Sequence, residues 1–549
     1  MQQQKAFSDW LSPNKPSISA TDSDIQVTNT PYCGQEDPIQ DGSEGELAIP
    51  IGHTTAAHNL LSWPSVQSLI HPLKRSGEYV MELEANRGLI TAYDEDGVGN
   101  PSDDSQVLVP PATENGRLDI ELSGRFNANS STTQRYYQSY LSNIHKVHPF
   151  LDQTELSMQV DDFTQYYCSE NFSSQIQPRV EGTIYNAIIL LVLAIGAFCD
   201  QPSPLTFPST DTPIAGLSLY GFAVSTLGPS QGGTNLKHAQ ACLLAGIYIG
   251  QFAHPFQSYS WISQASWVCQ LLIRPKRYRI LHSSVKDLCR FIYWTCLKLE
   301  SNILAELDLP PSGLSRFESQ IDLPTEKSAL TDSPDSPLIS TMLFYSAHIH
   351  LRKILNRVHT ELYKFDHEEQ GWSLTVQQAL SMNLARWRAS LPYMMKWGDD
   401  EQPATEINTA RMRAKFYGAQ YIIYRPLLYR ALHSPPGAKE GLPQPLLDAC
   451  KICIKSAILN TMAFDRIEGR LIITNIFGTA HGQFGNMLVL SATYMSNLRE
   501  LVDRDLLQRL LEGTIRFLQH TGSGSPSLQA DMEILTEIYG KIFTPSIGS

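Results

Sequence analysis

From about Arg135 to the C-terminus, apolar residues recur every three or four positions, the spacing that puts side chains on one face of an α-helix. In "KDLCRFIYWTCLKLESNILAEL" the positions Leu288, Phe291, Ile292, Cys296, Leu299, Ile303 and Leu307 form one stripe. "DLLQRLLEGTIRFLQ" repeats the pattern through Leu507, Leu510, Leu511, Thr514 and Leu518. A last helix carries Leu528, Leu535, Ile538, Tyr539 and Ile542, and Ser525-Pro526 supplies its start signal. The run "AIILLVLAIGAFC", Ala187 to Cys199, is apolar on every side but too short to span a bilayer, so it predicts a core helix. Alternation of period two is nearly absent. The pattern therefore predicts an all-α fold, with one large helical domain over 128–549. "SGLSRFESQIDLPTEKSALTDSPDSP", Ser312 to Pro337, breaks the period and predicts a surface loop at about 312–337.

Upstream the pattern changes. Residues 1–50 are polar, with Asp22, Asp24, Glu36, Asp37, Asp41, Glu44 and Glu46, and no Lys or Arg lies between Lys15 and Lys74. Such a segment buries too little apolar surface to offset its ordering entropy, which predicts a disordered acidic arm. Residues 51–127 read as a linker. In it Leu60, Leu61, Trp63, Val66, Leu69 and Ile70 recur at helical spacing, and Pro64 suits a helix N-terminus. They predict a short amphipathic helix at about 55–72, followed by a second acidic, loose stretch from Tyr93 to Gly116.

The net charge of -13 argues against a chain that coats nucleic acid by charge alone. The 9 cysteines are an odd number, and several sit in apolar runs, as reduced thiols of a cytosolic or nuclear protein do. No signal-peptide core follows Met1, so the sequons at Asn129 and Asn171 read as chance matches. Nucleotide-binding, metalloprotease and hydrolase motifs are missing. The acidic groups Asp161-Asp162 and Asp399-Asp400-Glu401 lack the spacing that lines carboxylates up for magnesium, so no catalytic residue is assigned. His145 and His148 are three apart, but Pro149 ends the helix there, which favours packing. His348 and His350 are two apart and leave a helix on different sides. Cys450 and Cys453 form the one C-x-x-C of the chain, but Leu446, Cys450, Cys453 and Ala457 share an apolar stripe and no second pair completes a zinc site. No metal or cofactor site is assigned. The basic cluster Arg274, Lys276, Arg277 and Arg279 needs no more than a charged connector between helices. As a functional element it would be a nuclear-import or phosphate patch.

Several segments in order resemble the regulatory domain, or middle homology region, of fungal zinc-cluster (Zn2Cys6) transcription factors. They are "YLSNIHKVHPFLD", "NLKHAQACLLAGIYIGQF", "CRFIYWTCLKLESNILAELDLPPSGL", "HIHLRKILNRVHTELY", "LARWRASLP" and "YGAQYIIYRPLLY", the last with Arg425-Pro426 near a helix end. "AHNLLSWPSVQSLI" is similar to a linker element of some members, so the resemblance runs from about residue 53 to the C-terminus. Glu300-Ser301 stands where the family has Asp-Arg, and Leu309-Pro310-Pro311 where it has a Gly-x-Pro turn. The family's DNA reader is a six-cysteine, two-zinc module, and only Cys33 precedes "LLSWP". Zinc is expected for the family, but its ligands are not in this sequence.

The resemblance implies a nuclear transcription regulator of a biosynthetic (secondary-metabolism) or metabolic gene cluster. Without its own zinc module it would act through the transcription machinery or a full-length relative, with a homodimer possible. DNA contact would be indirect, unless a missing N-terminal exon supplies the module; no membrane is implied. The alternative is an all-α small-molecule-binding protein or enzyme, whose pocket the aromatic segments "RFIYWTC" and "YGAQYIIYRPLLY" would line.

Overall fold

The computed structural model describes residues 48–70, 79–90, 118–168, 177–201, 214–324, 337–364, 373–434, 442–468, 471–521 and 524–543. The expected acidic arm, the stretch 93–116, Cys33 and Asn171 fall outside them, apart from residues 48–50 of the arm.

Helices are the regular structure of the described residues, which hold no strand and one isolated β-bridge, Ile120 to Phe126. A 3-10 helix at Ala57–Ser62 leads into α1 (Pro64–Gln67) and α2 (Tyr79–Ala85). The body follows as α3 (Ser130–Tyr140), α4 (Gln153–Tyr167), α5 (Ile184–Asp200), α6 (Leu217–Leu227), α7 (Leu236–Gly250), α8 (Pro255–Leu272), the short α9 (Pro275–Ile280) and α10 (Ser283–Leu304). It continues with α11 (Pro337–Leu362), α12 (Leu374–Ser390), α13 (Ile407–Leu432), α14 (Gln444–Met462), α15 (Ile476–Tyr494), α16 (Arg504–Thr521) and α17 (Pro526–Phe543).

Short polar side chains start many of these helices by accepting from orphan N–H groups. Asn129 accepts from Thr132 N, Asp152 from Glu155 N, Thr183 from Asn186 N and Asn235 from His238 N. The sequon residue Asn129 is thus a helix cap. The predicted stripes are the buried faces. α16 buries Leu507, Leu510, Leu511, Thr514 and Leu518, and α17 buries Leu528, Leu535 and Ile538. α5 is buried on all sides from Ala187 to Cys199, as an apolar run of that length requires.

Two hydrophobic cores result. The larger gathers α3 to α8, α10 and α15 to α17. The smaller joins Leu351, Leu355 and Val358 of α11, Leu380, Leu384 and Trp387 of α12, and Met412, Phe416 and Ile423 of α13. Close approach needs glycine at Gly196, where a Cβ would lie 1.9 Å from Tyr136 O, and again at the entry to α6. Gly216, at φ +79, leads into α6, where a Cβ would lie 2.3 Å from Ala194 O. At Gly485 a Cβ would come 3.1 Å from Ala57 Cβ, so this glycine seats the 3-10 helix on α15.

Two expected connectors carry structure. The loop at 312–337 contains a 3-10 helix at Leu314–Gln320, and α11 begins at its Pro337; residues 325–336 lie outside the described set. The basic connector is the short helix α9, because Pro275 pre-sets its first turn. The amphipathic segment at about 55–72 is a 3-10 turn followed by α1, with Leu60, Leu61, Val66, Leu69 and Ile70 buried and Pro64 at the first position of α1.

Candidate functional site

A cavity of about 230 Å³ opens between the two cores. Five long helices and the N-terminal segment build its wall, α14 through Asn460. α10 contributes Lys298 and Asn302, and α11 contributes His348, Arg352, Leu355 and His359. α13 contributes Arg411, Ala414, Lys415, Gly418 and Arg425, and α15 contributes Gly478, Gly482 and Gln483. Spacings of three, four and seven place these residues on single helix faces. His148 enters from the turn before α4, and Thr55 and Ala57 from the N-terminal segment. Gly482 leaves room: a Cβ there would meet nothing within 4 Å.

The wall is strongly cationic. It holds Lys298, Arg352, Arg411, Lys415 and Arg425, against the single carboxylate Glu306. Lys298 is 4% exposed, and Arg352 and Arg411 are 6% exposed. Lys415 keeps some accessible surface, but it lines the cavity and lies as deep as the others. Burial pushes the Lys298 ammonium well down, helped by Lys415 and Arg352. Burial, with Arg352 and Arg411, lowers Lys415 to about 7. Burial lowers both Arg352 and Arg411 to about 10, so both remain cations at neutral pH. His148 and His348 are held neutral by burial and by these same cations.

Compensation from the protein is thin. Lys298 Nζ lies 3.5 Å from the centre of the Tyr345 ring, a cation–π contact. Arg352 donates to Asn302 Oδ1, and Arg411 to Asn408 Oδ1 at 3.3 Å and to Ile472 O. Lys415 makes no hydrogen bond or ion pair among the described residues, and neither ring nitrogen of His148 has a partner. Glu306 interacts instead with His481 and Arg425, and Glu406 acts on Arg411 from the exposed N-terminus of α13.

A strap closes another side. Gly52 N donates to Asp308 Oδ1 at 2.7 Å, Thr54 N to Tyr363 O at 3.0 Å and Ala57 N to Glu306 Oε2 at 3.2 Å. Arg425 Nη2 donates to Thr55 O at 2.7 Å, and His359 Nδ1 bonds Thr55 Oγ1 at 2.9 Å. The same cavity wall thus holds the first described residues of the chain.

Residues 137–389 match the family model of the fungal specific transcription factor domain. That stretch is similar to the middle homology region of fungal transcription factors. The match covers a little under half of the chain and is narrower than the resemblance that starts near residue 53. No curated protein and no solved structure matches the chain significantly. The family is not enzymatic.

The transcription-factor domain contributes Val147, His148, Lys298, His348 and Arg352 to the cavity, and Arg411, Lys415 and Arg425 come from beyond its matched end. Sequence reasoning reached this site only in part. The segment "YGAQYIIYRPLLY" does line a pocket, through Gly418, Ala419, Tyr421, Ile422 and Arg425, but "RFIYWTC" packs in the core. His145 and His148 diverge: His145 ends a π-helical turn, Leu141–His145, and only His148 reaches the cavity. His348 lines it and His350 does not. Cys450 and Cys453 are fully buried on α14, where Cys453 Sγ sits 3.7 Å from Tyr421 O. Arg274, Lys276, Arg277 and Arg279 stand on the surface around α9, away from the cavity, and Arg277 Nη2 donates to Thr234 O at 3.0 Å. Among the described residues no group of three His, Cys, Asp or Glu side chains could hold a metal ion, and no helix is long and apolar enough to cross a membrane.

Proposed function

We propose that this chain is a transcription regulator of the fungal zinc-cluster type, whose helical body senses a small-molecule effector. One observation supports this most: a metabolite-sized cavity at the junction of two cores shares its wall with the N-terminal strap. Occupancy of that cavity would shift Arg425, His359 and Glu306, and so the seat of residues 52–57. The side toward which the family carries its DNA reader would then feel the effector. The body can bias two arrangements only through contacts that differ between them, and the strap hydrogen bonds are such contacts.

We assign the regulator to a biosynthetic or metabolic gene cluster in the nucleus, on the strength of the family. With Cys33 the one cysteine ahead of the helical body, DNA reading in this proposal comes from a full-length relative or from a zinc module encoded upstream. Arg274, Lys276, Arg277 and Arg279 are proposed as the import patch because they are charged and solvent-facing. Replacing all four with alanine should move a fluorescent fusion from nucleus to cytoplasm; unchanged nuclear fluorescence would remove that role.

The effector reading is tested by fusing the full chain to a heterologous DNA-binding module and reading a reporter across growth conditions. Gly482→Leu fills the open cavity space and should flatten the response while the protein stays folded. A reporter response identical to that of the parent chain would refute the sensor.

A further inference from the structure

We propose that the cavity binds a small organic polyanion, with two or three carboxylate or phosphate groups held by Lys298, Arg352, Arg411 and Lys415. The proposal rests on the effector reading and names the class of effector. The reason is charge balance. A buried cation is kept in proteins when it is paired, because desolvation otherwise costs several kcal/mol per ion. Here four such groups face one another, and no carboxylate acts on Lys298, Lys415 or Arg352, whose ionisation is set by burial and by neighbouring cations.

The missing negative charge has to arrive with the ligand. A neutral effector would leave the Arg352 and Arg411 guanidiniums uncompensated and the lysines driven toward their neutral form, and a monoanion would balance only one of the four groups. His148 and His348, neutral beside the cations, can donate N–H bonds to carboxylate or phosphate oxygens. The size also fits. A 150 Å³ cavity takes benzene, so one of about 230 Å³ takes a molecule of roughly ten non-hydrogen atoms. That is the scale of a di- or tricarboxylic acid or a short phosphate ester, and it excludes a nucleic acid segment.

The test is thermal denaturation of the full chain in citrate, in pyrophosphate and in sodium chloride at matched ionic strength. A ligand that binds only the folded state raises the melting temperature with the logarithm of its concentration. The expected result is a rise with citrate or pyrophosphate over chloride. A response to citrate alone assigns the carboxylate class, and one to pyrophosphate alone the phosphate class. The double variant Lys298→Met/Lys415→Met should melt higher than the parent in chloride and show no shift with either anion. Gly482→Leu keeps all four basic side chains and should also lose the shift. The proposal is overturned if neither anion exceeds chloride, or if the shift survives in both variants. The effector reading fails separately, if the Gly482→Leu reporter responds normally. If polyanions do not bind but that reporter is flat, the cavity senses a different class of molecule.

Discussion

Lys415 is the residue on which the electrostatics turn. Its ammonium titrates near 7 in the fold, lowered by burial, Arg352 and Arg411, and near 10.4 in an unfolded chain. Between those values the unfolded chain binds more protons, so this group makes stability rise as pH goes from about 7 to about 10. Lys415→Met should abolish that rise and stabilise the ligand-free protein at pH 7 by on the order of 1–3 kcal/mol, read by chemical denaturation. His481 does the opposite. Burial pushes its imidazolium down, but Asp531, 2.8 Å from Nδ1, with Glu306 and Glu84, holds it above 6.5. That contribution is complete below pH 6.5 and is lost as pH rises through the folded value. Asp531→Asn should cost about 3–5 kcal/mol, the loss expected when one partner of a buried pair is removed. The loss should be larger at pH 6 than at pH 8. None of this was legible in the sequence. Lys298 sits in a stripe-bearing helix whose apolar spacing says nothing of the opposite face, and Lys415 looks like any polar position of an amphipathic helix. Only assembly reveals that helix α10 is buried all round from Phe291 to Leu304.

At the scale of elements the sequence was far more informative, because helical periodicity is a local property. The stripes of α16 and α17, the apolar α5 and the Pro64 start are all readable in the sequence. The 3-10 turns and the short α9 were not, since their residues differ little from connector residues. Helix α13 shows what a signpost residue does. Pro426 lies inside it and has no N–H for the carbonyl of Ile422 one turn back. Tyr363 Oη donates to that carbonyl at 2.5 Å, and Arg425 stacks 4.9 Å from the Tyr363 ring. The proline is thereby tied to the end of α11 and to the strap. Tyr363→Phe should leave the carbonyl unsatisfied and cost about 1–3 kcal/mol. Arg425→Met should free Thr55 O, and amide exchange over residues 52–61 should quicken while the helices of the smaller core keep their protection.

For the whole molecule, the all-α architecture followed from helical periodicity and the family resemblance from the order of weak segments, and the matched stretch at 137–389 agrees with that resemblance. The cavity could not follow, because its wall is drawn from residues as far apart as Thr55 and Asn486 and crosses the boundary of the matched domain. Its placement between two cores makes the relative seating of those cores, and of the strap, the property that a ligand can bias. Charge couples this to protons. Lys298 and Lys415 face Arg352, Arg411, His148 and His348, so a bound polyanion raises the lysines and draws protons in. Affinity should therefore fall as pH rises above about 7.

The most direct measurement is calorimetric titration of citrate and of pyrophosphate into the full chain at pH 7.5, in two buffers of different ionisation enthalpy. One anion should bind with net proton uptake, which Lys298→Met/Lys415→Met abolishes. No binding heat with either anion, or binding that neither takes up protons nor depends on the two lysines, would contradict a cavity built around unpaired positive charge.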